Sequence, residues 1–281
     1  KRRESKTMKI KNFILLALAA VALTGCAFKD KAKKVKIDSD TIAAQNWSND
    51  QLYNEARSEL NAKNYDRANK LYEILRARQA PGRYTEQSLL DAAYAHYKNE
   101  EPAKALALLS RFEHNYPASI DMDYALYLRG LVLFDEDQSF LRKLASQDWS
   151  DRDPQANRRA YRVFNELVTR YPDSKYAEDA RKRMAQLVDA LGGHQIAIAK
   201  YYAKRGAYLA ANNRAQEVIK QFQNTRFVEE ALAIMAYTYG KMGNEQSAND
   251  TKRVLQQNFP QSPYLQQEWK PDDMPWWRYW K

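Results

Sequence analysis

The stretch ALALLSRFEHNYP at residues 105–117 has the same pattern as AYRVFNELVTRYP at residues 160–172. Each begins with a small residue, has an apolar side chain seven positions later and an aromatic one eleven positions later, and ends in proline. Seven positions are two helical turns, so the small and apolar residues lie on one face of a helix, which the proline then stops. The pattern predicts an amphipathic helix whose small residue lets a second helix approach closely.

This pattern recurs along the chain at a nearly constant period. Its small residues are separated by 37, 55, 51 and 37 positions, and the two long intervals equal one 37-residue unit plus 18 and 14. The unit resembles the tetratricopeptide repeat, a helix pair, lengthened by about three residues from its usual length of about 34. The small residues of the second helices are Ala68, Ala105, Ala160, Ala211 and Ala248, and those of the first helices are Ala56, Ala93, Gly130, Ala199 and Ala236.

We therefore predict an all-α fold, a right-handed solenoid of about five tetratricopeptide-type helix pairs plus one extra helix. The added residues at 135–154 are predicted to be a loop with at most one short helix. Those at 174–191 are predicted to be the extra helix, ended by Gly192-Gly193. A large closed bundle is the alternative, but a bundle has no reason to keep a 37-residue period. The first helices are expected to begin near Asp50, Glu86, Asp123, Gly193 and Glu229.

Composition supports a helical protein with one large domain or two modest ones. The 281 residues include only eight Gly and nine Pro, which disfavours turn-rich β folds. A mean hydropathy of -0.77 with 28% charged residues excludes a polytopic membrane protein. A single cysteine excludes an internal disulfide and a zinc site built from cysteines.

The N-terminal sequence is typical of an export signal. The sequence MKIKN at 8–12, with two lysines, precedes the apolar run FILLALAAVAL at 13–23, which is short for a membrane span. The sequence LTGC at 23–26 is similar to the bacterial lipobox. That resemblance implies that Cys26 is acylated and begins the mature chain, and Ala27 after it implies sorting to the outer membrane. The alternative is a buried, inert Cys26 beside an ordinary secretory peptide.

Removal of this signal lowers the net charge of the chain, and net charge is one guide to its binding partners. The chain carries a net charge of +10, and residues 1–25 hold six Lys or Arg and one Glu, so the mature chain has +5. The nucleic-acid partner that a basic protein suggests loses most of its support, and none is expected. The predicted organisation is a leader and signal peptide at 1–25, a lipidated tether at 26–48, a solenoid at 49–262 and a Trp-rich tail at 263–281. Within the solenoid, the N-terminal repeats span 49–117 and the C-terminal repeats 193–260.

No constellation for catalysis is visible. His96, His114 and His194 are far apart and lack ligands at metal-binding spacing. Glycine-rich phosphate loops, a serine nucleophile flanked by glycines and a Cys-His pair are missing, and acidic pairs such as Glu100-Glu101 fall in predicted loops as solvated charges. We predict a binding scaffold with no active site, metal or cofactor.

The aromatic content favours a binding surface. Nineteen Tyr, nine Phe and six Trp exceed what repeat cores need, so some should be exposed. Tyr201, Tyr202 and Tyr208 surround Lys204-Arg205-Gly206, where ordinary helix packing is the alternative to partner contact. The tail from Trp269 to Lys281 is expected to fold back over the last helix pair, dock a partner or touch the membrane interface.

Five strings, in order along the chain, carry a family resemblance. They are YKN at 97–99, DYALYLRGL at 123–131, DRDPQ at 151–155, YPDSKY at 171–176 and YYAKRGAY at 201–208. Together they resemble the BamD/ComL family, outer-membrane lipoproteins of the β-barrel assembly machinery. The resemblance implies a non-catalytic scaffold on the periplasmic face of the outer membrane, held there through a lipid anchor. It implies as partners the POTRA domains of the barrel subunit BamA, other Bam lipoproteins and unfolded outer-membrane β-barrel clients.

The same resemblance implies two sets of binding residues. In the family the C-terminal repeats contact BamA through a motif matched by Asn213-Arg214-Ala215, which marks Arg214, and Arg205 and Tyr208 of the last matched string join it as BamA-binding candidates. The N-terminal repeats hold the C-terminal signal of clients, beside an aromatic-Pro-Phe-Gly sequence that is Gln79-Ala80-Pro81-Gly82 here. Gly82 and Tyr84 are the client-signal candidates.

Two other functions fit part of the sequence. An outer-membrane repeat lipoprotein that coordinates cell-wall or pilus assembly would share the architecture but not the partner. A peptidoglycan-cleaving transglycosylase could carry a helical superhelix, but it would need an additional catalytic domain, and no remaining segment is large enough.

Overall fold

The computed structural model describes residues 44–78, 83–142 and 154–271. Within these ranges there are eleven helices and no strand, all in one compact unit, Trp47–Lys281. Every helix packs against the next one in the chain, which confirms the all-α fold of successive helix pairs. The helices are α1 (Asn49–Asn61), α2 (Tyr65–Ala77), α3 (Arg83–Lys98), α4 (Pro102–Asn115), α5 (Met122–Arg142), α6 (Pro154–Arg170), α7 (Ala177–Lys204), α8 (Tyr208–Gln221), α9 (Val228–Lys241), α10 (Glu245–Asn258) and α11 (Pro263–Gln266).

Local sequence signals set where several helices begin. Ser48 Oγ accepts a hydrogen bond from the Gln51 backbone N at 3.2 Å, and the Gln51 side chain accepts one from Ser48 N at 2.9 Å, so a capping box starts α1. Pro102 opens α4, where its missing N–H leaves no intrahelical bond unmade. Asn244 caps α10 by accepting from the Ser247 backbone N at 3.1 Å.

The aromatic residue of the repeat pattern ends the second helix in four units. In each, its backbone N–H donates to the carbonyl of the buried apolar residue four positions earlier, at 2.8 to 2.9 Å. The repeat therefore encodes the length of the helix as well as its buried face. The donor and acceptor residues are Tyr116 and Phe112, Tyr171 and Leu167, Phe222 and Val218, and Phe259 and Leu255.

The predicted small residues lie where helices cross. The five anchors of the second helices are at most 2% exposed, and the four alanines of the first helices at most 6%. The fifth first-helix position, Gly130, is also buried, and a Cβ added there would lie 2.6 Å from Phe164 Cδ1 on α6. Glycine at this crossing is thus required by the close approach of an aromatic ring.

Gly192-Gly193 does not end a helix, so that prediction is wrong. Both glycines lie inside α7, which continues without a break for 28 residues. A Cβ at Gly192 would lie 3.2 Å from Thr225 Oγ1, so the missing side chain makes room for the segment between α8 and α9. The predicted extra helix is the first part of α7, and the short α11 is the helix beyond the five pairs.

The predicted loop at 135–154 is also shorter than expected. Helix α5 continues through Arg142. Phe134 packs edge-on against Phe164, and Asp135 accepts a hydrogen bond from Tyr97 on α3. These contacts hold α5 against neighbouring units at the point where the loop was predicted to begin. Residues 143–153 lie outside the described part of the chain.

The long helix α7 connects two clusters of buried side chains. One cluster runs from Leu89 to Leu187 and the other from Leu191 to Trp269, so the boundary falls within α7. A rigid helix therefore joins the N-terminal and C-terminal repeats. Among the described residues, no helix combines the length and apolar character needed to cross a membrane.

Candidate partner-binding surfaces

Arg205 and Tyr208 lie at the turn between α7 and α8. Gly206 adopts a φ of 74° there, and the Ala207 backbone N donates to Tyr202 O at 3.0 Å, which closes the end of α7. The exposed Arg205 guanidinium lies 5.1 Å from the centre of the Tyr201 ring. Tyr208 is half-buried and meets Tyr237 of α9 edge-on, with ring centres 6.1 Å apart.

Arg214 lies farther along α8, away from that turn. Its side chain is exposed, and its Nη1 donates to Oε1 of the buried Gln195 on α7 at 3.4 Å. Gln195 is more than two turns before the end of α7. The structure therefore brings Arg205 and Tyr208 together and holds Arg214 separately, facing solvent beside α7.

Two exposed apolar side chains adjoin this turn, and sequence reasoning missed both. Leu209 is 65% exposed, and Met242, in the turn after α9, is 39% exposed. The ring contact between Tyr208 and Tyr237 places the end of α9 beside the start of α8, so both turns lie at the same end of the helices. We call Arg205, Tyr208, Leu209 and Met242 the C-terminal turn patch. A signal for Leu209 was present, since it falls outside the buried stripe that Ala211, Ala215 and Val218 form.

Of the two client-signal candidates, Gly82 lies outside the described residues and Tyr84 begins a cluster of tyrosines. The half-buried Tyr84 donates its hydroxyl to Asp50 on α1, and its ring centre is 5.3 Å from that of Tyr53. The Tyr53 ring in turn meets Tyr72 of α2 at 6.4 Å. Three tyrosines from three helices thus form one cluster in the N-terminal repeats, in which Tyr53 and Tyr84 are half-buried and Tyr72 is buried.

The buried Asp91 joins this cluster, and the sequence analysis did not identify it. Its carboxylate accepts from Tyr72 at 3.1 Å, from Tyr53 at 3.4 Å and from Gln87 Nε2 at 2.9 Å. Burial raises the pKa of Asp91, while these hydrogen bonds and the attraction of Arg57 offset part of that effect. Burial, together with the Asp91 charge, also raises the pKa of Tyr72. Tyr53, Tyr72, Tyr84 and Asp91 form the N-terminal tyrosine cluster.

The first tryptophan of the predicted Trp-rich tail is buried. Trp269 folds back over α9, where its ring centre is 5.4 Å from that of Tyr237 and its Nε1 donates to Glu230 Oε1 at 3.2 Å. It lines a groove of about 780 Å³ between α9, α10 and α11. Residues 272–281, with the remaining tryptophans, lie outside the described part of the chain, as does Cys26.

Glu101 is not the solvated loop charge that the sequence analysis expected. It lies directly before α4, its Oε2 is 2.6 Å from His96 Nδ1, and its Oε1 accepts from Lys104 Nζ at 2.5 Å. Burial alone would raise its pKa, but hydrogen bonds from Lys104, His96 and Asn99 outweigh burial and lower the pKa to about 2. His96 thus has a structural partner. In the described ranges, no three His, Cys, Asp or Glu side chains are grouped to hold a metal ion.

Comparison with known proteins identifies a family and several relatives. The sequence profile of the YfiO family, described as outer membrane lipoprotein, matches residues 45–255. The chain is similar to proteins from several bacteria that are named outer membrane protein assembly factor BamD. That of Neisseria meningitidis serogroup A is 58% identical over 96% of this chain and 100% of its own length. The corresponding protein of Neisseria gonorrhoeae is 57% identical over the same shares.

A more distant relative matches nearly the same extent. The BamD of Xylella fastidiosa strain 9a5c is 33% identical over 91% of this chain and 84% of its own length. An alignment of this length must include most of the helix pairs. On this evidence the chain belongs to the BamD, or YfiO, family of outer membrane lipoproteins.

Proposed function

We propose that this chain is a non-catalytic scaffold at the periplasmic face of the outer membrane, where it holds BamA and helps outer-membrane β-barrel proteins to assemble. The names of its relatives support a role in outer membrane protein assembly. The acylated Cys26 anchors it, and the helix pairs stand in the periplasm. Other Bam lipoproteins bind the same scaffold.

The C-terminal turn patch is the observation that carries the BamA assignment. Its Leu209 is the second most exposed large apolar side chain in the described ranges, and it lies next to Tyr208 and near Arg205. Exposed apolar and aromatic side chains beside arginine are typical of protein interfaces. The POTRA domains of BamA cover this patch and reach along α8 to Arg214.

The N-terminal tyrosine cluster is the proposed site for unfolded clients. Tyr84 and Tyr53 offer partly exposed rings and hydroxyl groups, which can contact both the apolar side chains and the backbone of an extended segment. Asp91 orients two of the rings from behind. The long α7 keeps this site at a fixed distance from the BamA site.

Arg214→Glu tests the BamA assignment. If Arg214 pairs with a BamA carboxylate shielded from water, the reversal weakens binding to isolated POTRA domains by roughly 2 to 5 kcal/mol, and by less at a salt-screened rim. Arg111→Glu is the matched control, because Arg111 is an exposed arginine of α4 in the N-terminal half. Circular dichroism verifies folding. Unchanged affinity in a folded Arg214→Glu protein would remove Arg214 from the site.

A further inference from the structure

Charge is distributed unequally between the first and second helices of the pairs. The second helices, α2, α4, α6, α8 and α10, carry thirteen Lys or Arg against seven Asp or Glu. The first helices, α1, α3, α5, α7 and α9, carry eleven Lys or Arg against fourteen Asp or Glu. The basic excess is greatest on α6, which has four arginines and one glutamate.

Three of the α6 arginines form an exposed group, which we call the arginine face. Arg158, Arg159 and Arg162 all face solvent, and none of them forms a hydrogen bond or ion pair with another described residue. The fourth, Arg170, is paired with Glu166 at 2.6 Å. The arginine face is therefore a positive surface whose charge no described residue neutralises.

Three carboxylates near the arginine face already have basic partners. Glu113 on α4 pairs with Arg129 on α5, and Asp189 on α7 pairs with Arg226 at 3.2 Å. Glu166 on α6 itself pairs with Arg170. Among the described residues, no carboxylate is therefore paired with the arginine face.

Grooves lined by both apolar and polar side chains flank the arginine face on both sides, and Arg162 borders both. One, of about 460 Å³, is lined by Tyr161 of α6, Val188 and Leu191 of α7 and Phe222 at the end of α8. The other, of about 600 Å³, lies against α4 and α5. Its lining includes Leu106, Leu133 and Val163, together with Arg129 and with Glu166, which is paired with Arg170. Each groove can accept an apolar side chain next to a guanidinium group.

We propose that the arginine face and its two grooves bind an acidic, extended polypeptide segment whose apolar side chains enter the grooves. Carboxylates of the segment pair with Arg158, Arg159 and Arg162, since guanidinium binds carboxylate in a bidentate manner. A membrane surface fits less well. The large apolar side chains that are exposed in the described ranges, which are Ile120, Leu209, Met242, Val254 and Leu265, all lie outside α6, so this face has no side chain to insert into a bilayer.

The test measures binding of a short fluorescein-labelled peptide rich in Glu and Leu to the full chain in detergent, by fluorescence anisotropy. Replacing Arg158, Arg159 and Arg162 together by Gln should weaken binding at least about tenfold, because three ion pairs are lost. The matched control replaces Lys70, Arg111 and Lys220 by Gln, which removes three exposed charges from other second helices. The control should change affinity less than about twofold.

Two further binding experiments distinguish the contribution of charge from that of apolar contact. A peptide with Gln in place of Glu should bind the parent protein no better than the Glu peptide binds the triple variant. Tyr161→Ala, at the wall of one groove, should weaken binding of the Glu and Leu peptide but not of a Glu and Ser peptide. The proposal would be overturned if the control variant lost as much affinity as the triple variant. It would also be overturned if the parent protein bound the Gln peptide as tightly as the Glu peptide.

A lipid role is distinguished with vesicles. If the triple variant binds the acidic peptide like the parent protein but loses the preference for phosphatidylglycerol over phosphatidylcholine vesicles, the arginine face serves anionic lipid and the proposal is wrong. Retained helicity of the triple variant by circular dichroism is expected, because all three side chains are exposed.

Discussion

The hydroxyl of Tyr127 on α5 donates a 2.7 Å hydrogen bond to Asp179 Oδ2 on α7 and so joins the first helices of two successive units. The same relationship occurs between Tyr53 on α1 and Asp91 on α3, and between Tyr97 on α3 and Asp135 on α5. A tyrosine of each of the first three units therefore bonds an aspartate of the next. These bonds fix the spacing of the units independently of the apolar stripes.

Tyr127→Phe should lower the free energy of unfolding by about 0.5 to 1.5 kcal/mol, since it removes one hydrogen bond without changing the ring. Asp179 keeps Arg183, whose Nε donates to it at 2.6 Å, so the carboxylate is not left unpaired. Urea unfolding of Tyr127→Phe, Asp179→Ala and the double variant measures the coupling. Tyr65→Phe is the control, because the Tyr65 hydroxyl has no partner among the described residues. Additive effects of the two substitutions would contradict a direct link.

Sequence periodicity predicted most of the fold for a physical reason. A helix pair needs a small residue at each crossing and an apolar residue two turns later. Ala105 and Phe112 are such a pair, and because they are close in sequence the pattern can be recognised from the sequence alone. Gly192-Gly193 misled the prediction because the sequence cannot distinguish a glycine that ends a helix from one that accommodates a neighbour. That distinction depends on Thr225, which is far away in sequence and close in space.

Gly130→Ala should destabilise the protein far more than Gly240→Ala. The new Cβ at Gly130 would meet three atoms of the Phe164 ring in the core, and overpacking of this kind typically costs about 1 to 3 kcal/mol. Gly240 also lies in a helix, but nothing is within 4 Å of a Cβ there, so alanine should stabilise by about 0.4 to 1 kcal/mol. Thermal midpoints of the two variants provide the measurement. Equal midpoints would be incompatible with the close helix crossing at Gly130.

The candidate sites were less accessible to sequence reasoning than the fold. Arg205 and Tyr208 belong to a string that resembles a family motif, so the sequence marked them. Asp91 belongs to no motif in the sequence. Only the structure shows that the hydroxyls of Tyr53 on α1 and Tyr72 on α2 both donate to it. Leu209 is apolar like its buried neighbours, and only its register distinguishes it.

Glu101→Gln should remove part of the loss of stability in acid. The pKa of Glu101 is about 2 in the folded protein, against 4.5 for an unperturbed glutamate, so its bonds stabilise the fold fully above about pH 4.5. That contribution decreases as the pH falls from about 4.5 towards 2, where the carboxylate takes up a proton. Urea unfolding at several pH values in this window should give a shallower slope for the variant. Identical slopes would show that the His96 and Lys104 contacts do not stabilise the ionised group.

Cys26→Ser should prevent acylation and release the protein from the membrane fraction. If Cys26 is acylated as proposed, the attached acyl chains supply membrane affinity that the serine variant lacks. Fractionation in cells depleted of BamA and the other Bam lipoproteins removes retention by partners. A variant that stays firmly membrane-bound under these conditions would contradict the lipid anchor at Cys26.

Leu209→Ser should weaken binding to isolated POTRA domains while leaving the fold intact. Leu209 is 65% exposed, so its replacement exposes no core and should change the free energy of unfolding by less than about 0.5 kcal/mol. If BamA covers it, loss of the buried apolar surface should cost roughly 1 to 3 kcal/mol of binding. Ile120→Ser is the matched control, because Ile120 is 93% exposed and lies between α4 and α5, far along the chain from the C-terminal turn patch. Calorimetric titration of both variants decides the matter: an effect of equal size at Ile120 and Leu209, or none at Leu209, would place the BamA contact elsewhere on the helix pairs.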